Sequence, residues 1–286
     1  MILTIIKAAE ERLIKHDIPD SYAKYVMNEI LLEQGRNLYL EMNQELDELS
    51  LEKFNAIMDK LCDDMPLAYA MGVQYFYGYP IAVNSDVLIP RFETEELVLN
   101  VIQEIDEYFF DQAITVLDVG TGSGAIACAL KAECPKIHMF ASDISEDALK
   151  QAQLNADNIQ VNVEFYQGDM LQPFIDHSIK ADVIVCNPPY IPSGEEIKKI
   201  VKRYDPDLAL FGGEDGLKFY RSVLSNAKYV VKEKNILAFE MGWDQGKTLT
   251  DLARSYFPEA DISVVKDMQG KDRILIVRNR CSSLFL

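Results

Sequence analysis

Two rhythms of apolar and polar positions divide the chain. Over residues 1–72, apolar side chains return every three or four positions, the spacing of a helix face. Ile2, Ile5, Ile6, Ala9 and Leu13 mark one helix that runs out near Asp17-Ile-Pro19. Tyr22, Tyr25, Val26 and Ile30 mark a second, with Ser21 as its N-cap and Gly35 as its stop. Phe54, Ile57, Met58 and Leu61 mark a third, begun at Ser50 and ended before Pro66. A small N-terminal helical bundle is therefore expected over 1–72. From Val73 to Ile89 the pattern turns to aromatic and β-branched runs, Tyr75-Phe-Tyr77, Ile81-Ala-Val83 and Val87-Leu-Ile89, broken by Gly78 and Asn84-Ser85. That predicts a β-hairpin linker over 73–91.

From residue 92 onward, short continuous apolar runs alternate with helical stretches. Helices are expected at 97–108, 125–132 and 217–231, and strands at 114–119, 137–142, 161–166, 183–186 and 236–240. Two further runs, Ile262-Ser-Val-Val265 and Arg273-Ile-Leu-Ile-Val277, are linked through Gly270 and predict a closing antiparallel pair. Strands buried on both faces and separated by helices specify an α/β domain over 92–286 with a mostly parallel sheet.

Composition narrows the function classes. The 286 residues carry 49% hydrophobic side chains, enough for a small domain and a medium one. With 28 Lys and Arg against 46 Asp and Glu, the net charge is −18, poor footing for gripping a phosphate backbone. Cys62, Cys128, Cys134, Cys186 and Cys281 form no C-x-x-C pair, so free thiols in a reducing compartment are expected. His16, His138 and His177 show no metal-ligand spacing. No run approaches transmembrane length, and Met1-Ile-Leu-Thr-Ile-Ile-Lys lacks a basic leader. A cytoplasmic monomer without metal, membrane or direct nucleic-acid partner is the expectation.

The chemistry gathers at strand ends. The strand 114–119 runs into Asp118-Val-Gly120-Thr121-Gly122-Ser123-Gly124, a turn where backbone lies open to a ligand. This differs from the Gly-x-Gly-x-x-Gly of a pyrophosphate binder, and the preceding Asp118 favours an amino acid moiety. The next strand ends in Asp143, placed to accept both hydroxyls of a ribose. The third ends at Gly168-Asp169-Met170, where Asp169 is suited to an adenine amino group and Met170 to its ring. The fourth stops at Asn187-Pro188-Pro189-Tyr190. Pro188 keeps Asn187 extended, and the two prolines offer no N–H donors. What remains is a rigid acceptor cluster, the Asn187 side-chain oxygen and the Pro188 carbonyl with the Tyr190 ring beside them. It suits a planar NH2 group whose N–H bonds grow more polar as the nitrogen attacks an electrophile. Residues 192–206, polar and mixed in charge, are a candidate mobile cover.

On these residues the chain resembles Rossmann-like class I methyltransferases that use S-adenosyl-L-methionine. More narrowly, it resembles the peptide chain release factor glutamine methyltransferases. The resemblance runs nearly end to end, through Val87-Leu-Ile-Pro-Arg-Phe-Glu-Thr-Glu95, Asn187-Pro-Pro-Tyr-Ile191, Gly212-Gly-Glu-Asp-Gly-Leu217 and Glu240-Met-Gly242. Phe92 replaces a family proline, Ala68 a glutamine, and Tyr204-Asp-Pro206 a Glu-Pro. The resemblance implies methyl transfer to the side-chain amide nitrogen of the glutamine in a release factor's Gly-Gly-Gln motif, leaving S-adenosyl-L-homocysteine. It implies that Gly120, Thr121, Gly122, Ser123 and Gly124 line the methionine end of the cofactor, with Asp143 on the ribose and Asp169 and Met170 on the adenine. Asn187, which would also border the cofactor, and Pro188 would hold the amide, with Pro189 and Tyr190 shaping the slot. Three rivals share parts of this pattern: an adenine-N6 DNA or RNA methyltransferase, a ribosomal protein glutamine methyltransferase, and a cofactor-binding scaffold without turnover.

Overall fold

A computed structural model describes residues 1–196 and 203–279. The described chain forms two compact units, one of Met1–Val73 with Arg203 and Tyr204, the other of the remaining residues from Gln74 onward.

The first unit is all helical: α1 (Ile2–Lys15), α2 (Ser21–Glu33), α3 (Leu38–Glu41), α4 (Glu48–Cys62) and α5 (Leu67–Met71). The predicted faces are the ones buried, with Leu13, Met27, Phe54 and Met58 in one core. Two caps differ from expectation. Ser21 is the first helical residue of α2, after Asp20. Helix α4 begins before Ser50, because the Asp47 carboxylate accepts the Ser50 N–H at 2.9 Å. Within this unit Tyr204 donates its hydroxyl to the Asp63 carbonyl at 2.7 Å.

The hairpin, β1 (Val73–Phe76) and β2 (Tyr79–Ala82), begins at the last residue of the first unit and otherwise belongs to the second. Tyr77 and Gly78 turn it with φ of 52° and 82°, the mirror-image turn that matches strand twist. The third run of that pattern adds no strand; Val87 and Ile89 are buried from a loop instead. The chain then forms α6 (Phe92–Phe109), β3 (Thr115–Val119), α7 (Ala125–Glu133), β4 (His138–Asp143), α8 (Glu146–Ile159), β5 (Val163–Gln167), α9 (Gln172–Asp176) and β6 (Ala181–Cys186). After a 3-10 turn at Asp207–Ala209 come α10 (Lys218–Ala227), β7 (Val231–Glu240), α11 (Gly246–Tyr256), β8 (Asp261–Lys266) and β9 (Asp272–Asn279).

The large sheet has the order β5-β4-β3-β6-β7-β9-β8. Only β9 runs against its neighbours, as the closing pair predicted. From β3 the chain first adds strands on one side, β4 and β5, then returns through β6 to the other side of β3. The strand order therefore reverses between β3 and β6, and ligands of such sheets sit outside the strand ends at that point. Strand β6 is buried at every position, and its last residue pairs with Val119 of β3.

Candidate active site

The switch point carries a cavity of about 500 Å³ in the second unit. Of the residues singled out from sequence, Gly120, Thr121, Gly122, Ser123, Asp143, Asp169, Met170, Asn187 and Pro189 line it. Gly124, Pro188 and Tyr190 do not. Each exception has a physical reason. Gly124 faces away from the cavity into the α7–α8 contact, where a Cβ would sit 2.9 Å from that of Ala152. Pro188 is buried, and the Tyr190 ring packs against the sheet core.

The glycine turn is held from below and behind. Gly120 and Thr121 both donate their N–H to the Ser142 carbonyl at 2.9 Å, tying the end of β3 to β4. Gly122 donates to Asp143 Oδ2 at 2.8 Å, and Ser145 donates to Oδ1 at 2.9 Å. Asp143 is thus both wall and anchor, and burial raises its pKa against those two bonds. Asn155 of α8, which no motif pointed to, bridges Ser123 and the hairpin: its Nδ2 reaches the Ser123 carbonyl at 2.8 Å and the Ala82 carbonyl at 2.9 Å.

Asp118 has a different place from the one its spacing suggested. It is fully buried, is absent from the cavity wall, and takes the Thr121 hydroxyl at 2.6 Å. It therefore braces the turn from inside and does not meet the ligand. Burial pushes its pKa up to about 7, against the Thr121 hydroxyl and the Ala127 N–H that pull it down. A folded pKa above the ordinary 3.8 means the folded chain keeps a proton that the unfolded chain has released. That stabilisation is complete below the unfolded value and is lost as pH rises through about 7. In urea denaturation the native chain should therefore lose stability relative to Asp118→Asn across that window, by about 4 kcal/mol at most. A pH-independent difference would contradict this burial argument.

The Asn187 loop is buttressed from the chain that follows it. Ile191 pairs with the 210–212 segment, and a Cβ at Gly216 would fall 2.3 Å from the Tyr190 carbonyl. That carbonyl also accepts from Gln245 Nε2 at 3.2 Å. Gly212 and Gly216 are thus explained by close approach to the Asn-Pro-Pro-Tyr loop, at the Pro189 and Tyr190 carbonyls. On the other side, Asn187 Nδ2 donates to the Thr94 hydroxyl at 3.2 Å. Thr94, to which the sequence assigns no part in the site, is buried in the first turn of α6 and lines the cavity. With its nitrogen turned inward, Asn187 leaves Oδ1 without a hydrogen bond among the described residues.

Phe92 opens α6 with two-thirds of its surface exposed, and Ala68 is buried in α5. Arg91 reaches Asp205 Oδ2 at 2.7 Å. Residues 197–202 of the candidate cover lie outside the described residues, as does Cys281. The four described cysteines are free thiols.

The reversed strand order, with a glycine turn on one side of the switch and an Asn-Pro-Pro-Tyr tip on the other, defines a class I methyltransferase. The fold is shared by the hMettl16 catalytic domain solved with a 3'UTR hairpin, with a TM-score of 0.52 and 14% identity over 83% of this chain and 85% of that one. A methyltransferase small domain model matches residues 95–204, and a PrmC N-terminal domain model matches residues 4–72. The release factor glutamine methyltransferase of Bacillus cereus is 38% identical over 94% of this chain and 96% of its own. That of Bacillus subtilis is 42% identical over 83% of this chain and 84% of its own. The chain belongs to the release factor glutamine methyltransferase family.

Proposed function

We propose that this protein methylates the side-chain amide nitrogen of a glutamine, the one in the Gly-Gly-Gln motif of a peptide chain release factor, with S-adenosyl-L-methionine as donor. The observation that carries the chemistry is Asn187, whose amide nitrogen is engaged by Thr94 so that its oxygen is left to the cavity. The residues present fit the donor. Gly122 has no atom within 4 Å of where a Cβ would stand, so the turn offers open backbone to a ligand. The half-buried Asp143 carboxylate is assigned to the ribose hydroxyls, and Asp169 and Met170 to the adenine. Bound there, the cofactor supplies an electrophilic methyl group on a sulfonium.

An amide nitrogen is a poor nucleophile because its lone pair is shared with the carbonyl. Asn187 Oδ1 accepts one N–H of the substrate amide, and the Pro188 carbonyl, between two wall residues, accepts the other. Both bonds strengthen as positive charge grows on the nitrogen, so they stabilise the transition state more than the ground state. Prolines on both sides of that carbonyl fix it without reorganisation. The division of the chain into a helical domain over 1–72, a hairpin over 73–91 and a catalytic domain over 92–286 belongs to this proposal, as does action as a cytoplasmic monomer.

The assay is transfer of labelled methyl from the cofactor. Label should appear on a release factor and not on its Gly-Gly-Glu variant. Label on DNA or RNA, or on a ribosomal protein in preference, would replace this reading by one of its rivals.

Two glycine substitutions separate ligand contact from packing. Gly122→Ala should cost only about 1 kcal/mol of stability for its positive φ, while calorimetry shows cofactor affinity falling at least about ten-fold as the Cβ enters the ligand's space. Gly124→Ala should instead destabilise the fold by about 2–3 kcal/mol, because its Cβ meets Ala152. Equal behaviour of the two variants would contradict the division of roles.

A further inference from the structure

Glu240 ends β7 one register step beyond the Cys186–Phe239 pair, next to Asn187 at the tip of β6. Glu240 is 2% exposed, its carboxylate lies outside the cavity wall, and one oxygen, Oε2, has no hydrogen-bond partner among the described residues. A buried carboxylate that meets no ligand and keeps an orphaned oxygen is costly, so its neighbours carry the explanation. From α6, the Thr94 hydroxyl donates toward it and Glu93 repels it; from β9, Arg273 attracts it; from the β6 tip, the Asn187 amide donates toward it. Tyr190, Arg91 and Arg273 share the same electrostatic cluster, and Arg273 is itself held by Asp267 at 3.1 Å. From α10, Tyr220 binds only the main-chain carbonyl of Glu240, at 2.7 Å.

We propose that Glu240 is a positioning residue that decides which end of the Asn187 amide faces the substrate, so that methyl transfer depends on the ionisation of a group the substrate never touches. The proposal rests on the reading that Asn187 Oδ1 holds the acceptor amide. An asparagine amide fits its slot in two orientations of nearly equal shape, and hydrogen bonding selects between them. Above an ionised carboxylate the nitrogen turns inward and the oxygen outward. The flipped form would set Oδ1 against carboxylate oxygen and aim N–H bonds at the N–H bonds of the incoming amide. Once protonated, Glu240 carries a donor of its own and can serve Oδ1, so the flipped form is no longer opposed. Burial pushes its pKa up to about 7, which puts this change inside the ordinary working range.

The test is the pH profile of kcat/KM for the release factor at saturating cofactor. The acceptor amide does not titrate there, and Asp118, whose pKa also lies at about 7, is common to the native and variant enzymes, so the limb that Glu240→Gln removes belongs to Glu240. The native rate should rise through about pH 7 to a plateau. Glu240→Gln presents both a donor and an acceptor at every pH. Its rate should lie about 10–100-fold below the native plateau and be flat with pH, with the cofactor Kd within about two-fold of native. Thr94→Val, which removes the hydroxyl beneath Asn187, should lower the rate but keep the native acid limb. A flat native profile overturns the proposal whatever the variants do. So does a Glu240→Gln enzyme with the native rate, or with a lowered rate that keeps the acid limb. Activity retained by Asn187→Ala would instead sink the acceptor reading itself, which separates the two failures.

Discussion

Asn187→Ala is expected to lower the rate of methyl transfer about 10²–10³-fold while the cofactor Kd stays within about three-fold of native. The size follows from what the side chain does. Its oxygen meets a hydrogen whose charge grows during the reaction, in a cavity where a preoriented acceptor is worth more than in water. The selectivity follows from where it sits. Asn187 ends β6, across the switch point from the β3 turn that is assigned to the cofactor, and its own bond runs to Thr94. Removing the amide frees the Thr94 hydroxyl without touching Gly122 or Asp143. Rate measured with the release factor, and binding measured by calorimetry with S-adenosyl-L-homocysteine, check the two halves separately. A variant that lost both together would show that the loop holds the cofactor as well.

Asp143→Ala should show the opposite pattern, with cofactor affinity reduced about 10²–10³-fold and little further loss of rate at saturation. Two effects add. The carboxylate is assigned to the ribose hydroxyls, and charge-assisted bonds of that kind are worth about 1.5–3 kcal/mol each. It also accepts the Gly122 N–H at 2.8 Å, so its loss loosens the turn against which the ligand lies. Asp143→Asn separates these, because its amide oxygen can still accept one N–H but carries no charge. An unchanged Kd for Asp143→Ala would remove it from the cofactor site.

The motif-bearing parts of this fold were legible because they coincide with strands buried on both faces, whose apolar runs stop abruptly at polar residues. Strand β6 is the clearest, buried from Ala181 to Cys186 and ended by two prolines. Helix α8 left no such trace. It buries Ala148, Gln151, Ala152, Asn155 and Ala156, small or polar residues that make no apolar stripe. Yet it is the helix that holds the glycine turn, through Asn155 and through the close fit of Gly124 on Ala152. Helix α11 was silent for a similar reason, burying little beyond Leu249 and Ala253. The individual glycine and proline assignments were coarser than the structure. Spacing identifies a turn, but not which of its residues face the ligand and which face the protein, and so Gly124, Pro188 and Tyr190 fell outside the wall. Thr94 and Glu240 were the hardest to read. They are 146 positions apart in sequence and meet only because α6 starts beside the tip of β7, a placement that strand order alone creates.

The central claim concerns two oxygens at one strand tip, and a crystal structure with S-adenosyl-L-homocysteine and a peptide bearing Gly-Gly-Gln tests it most directly. The glutamine nitrogen should lie about 3 Å from both Asn187 Oδ1 and the Pro188 carbonyl, with the cofactor sulfur on its far side. A glutamine seated elsewhere in the cavity, or an Asn187 that shows its nitrogen to the peptide, would contradict the account.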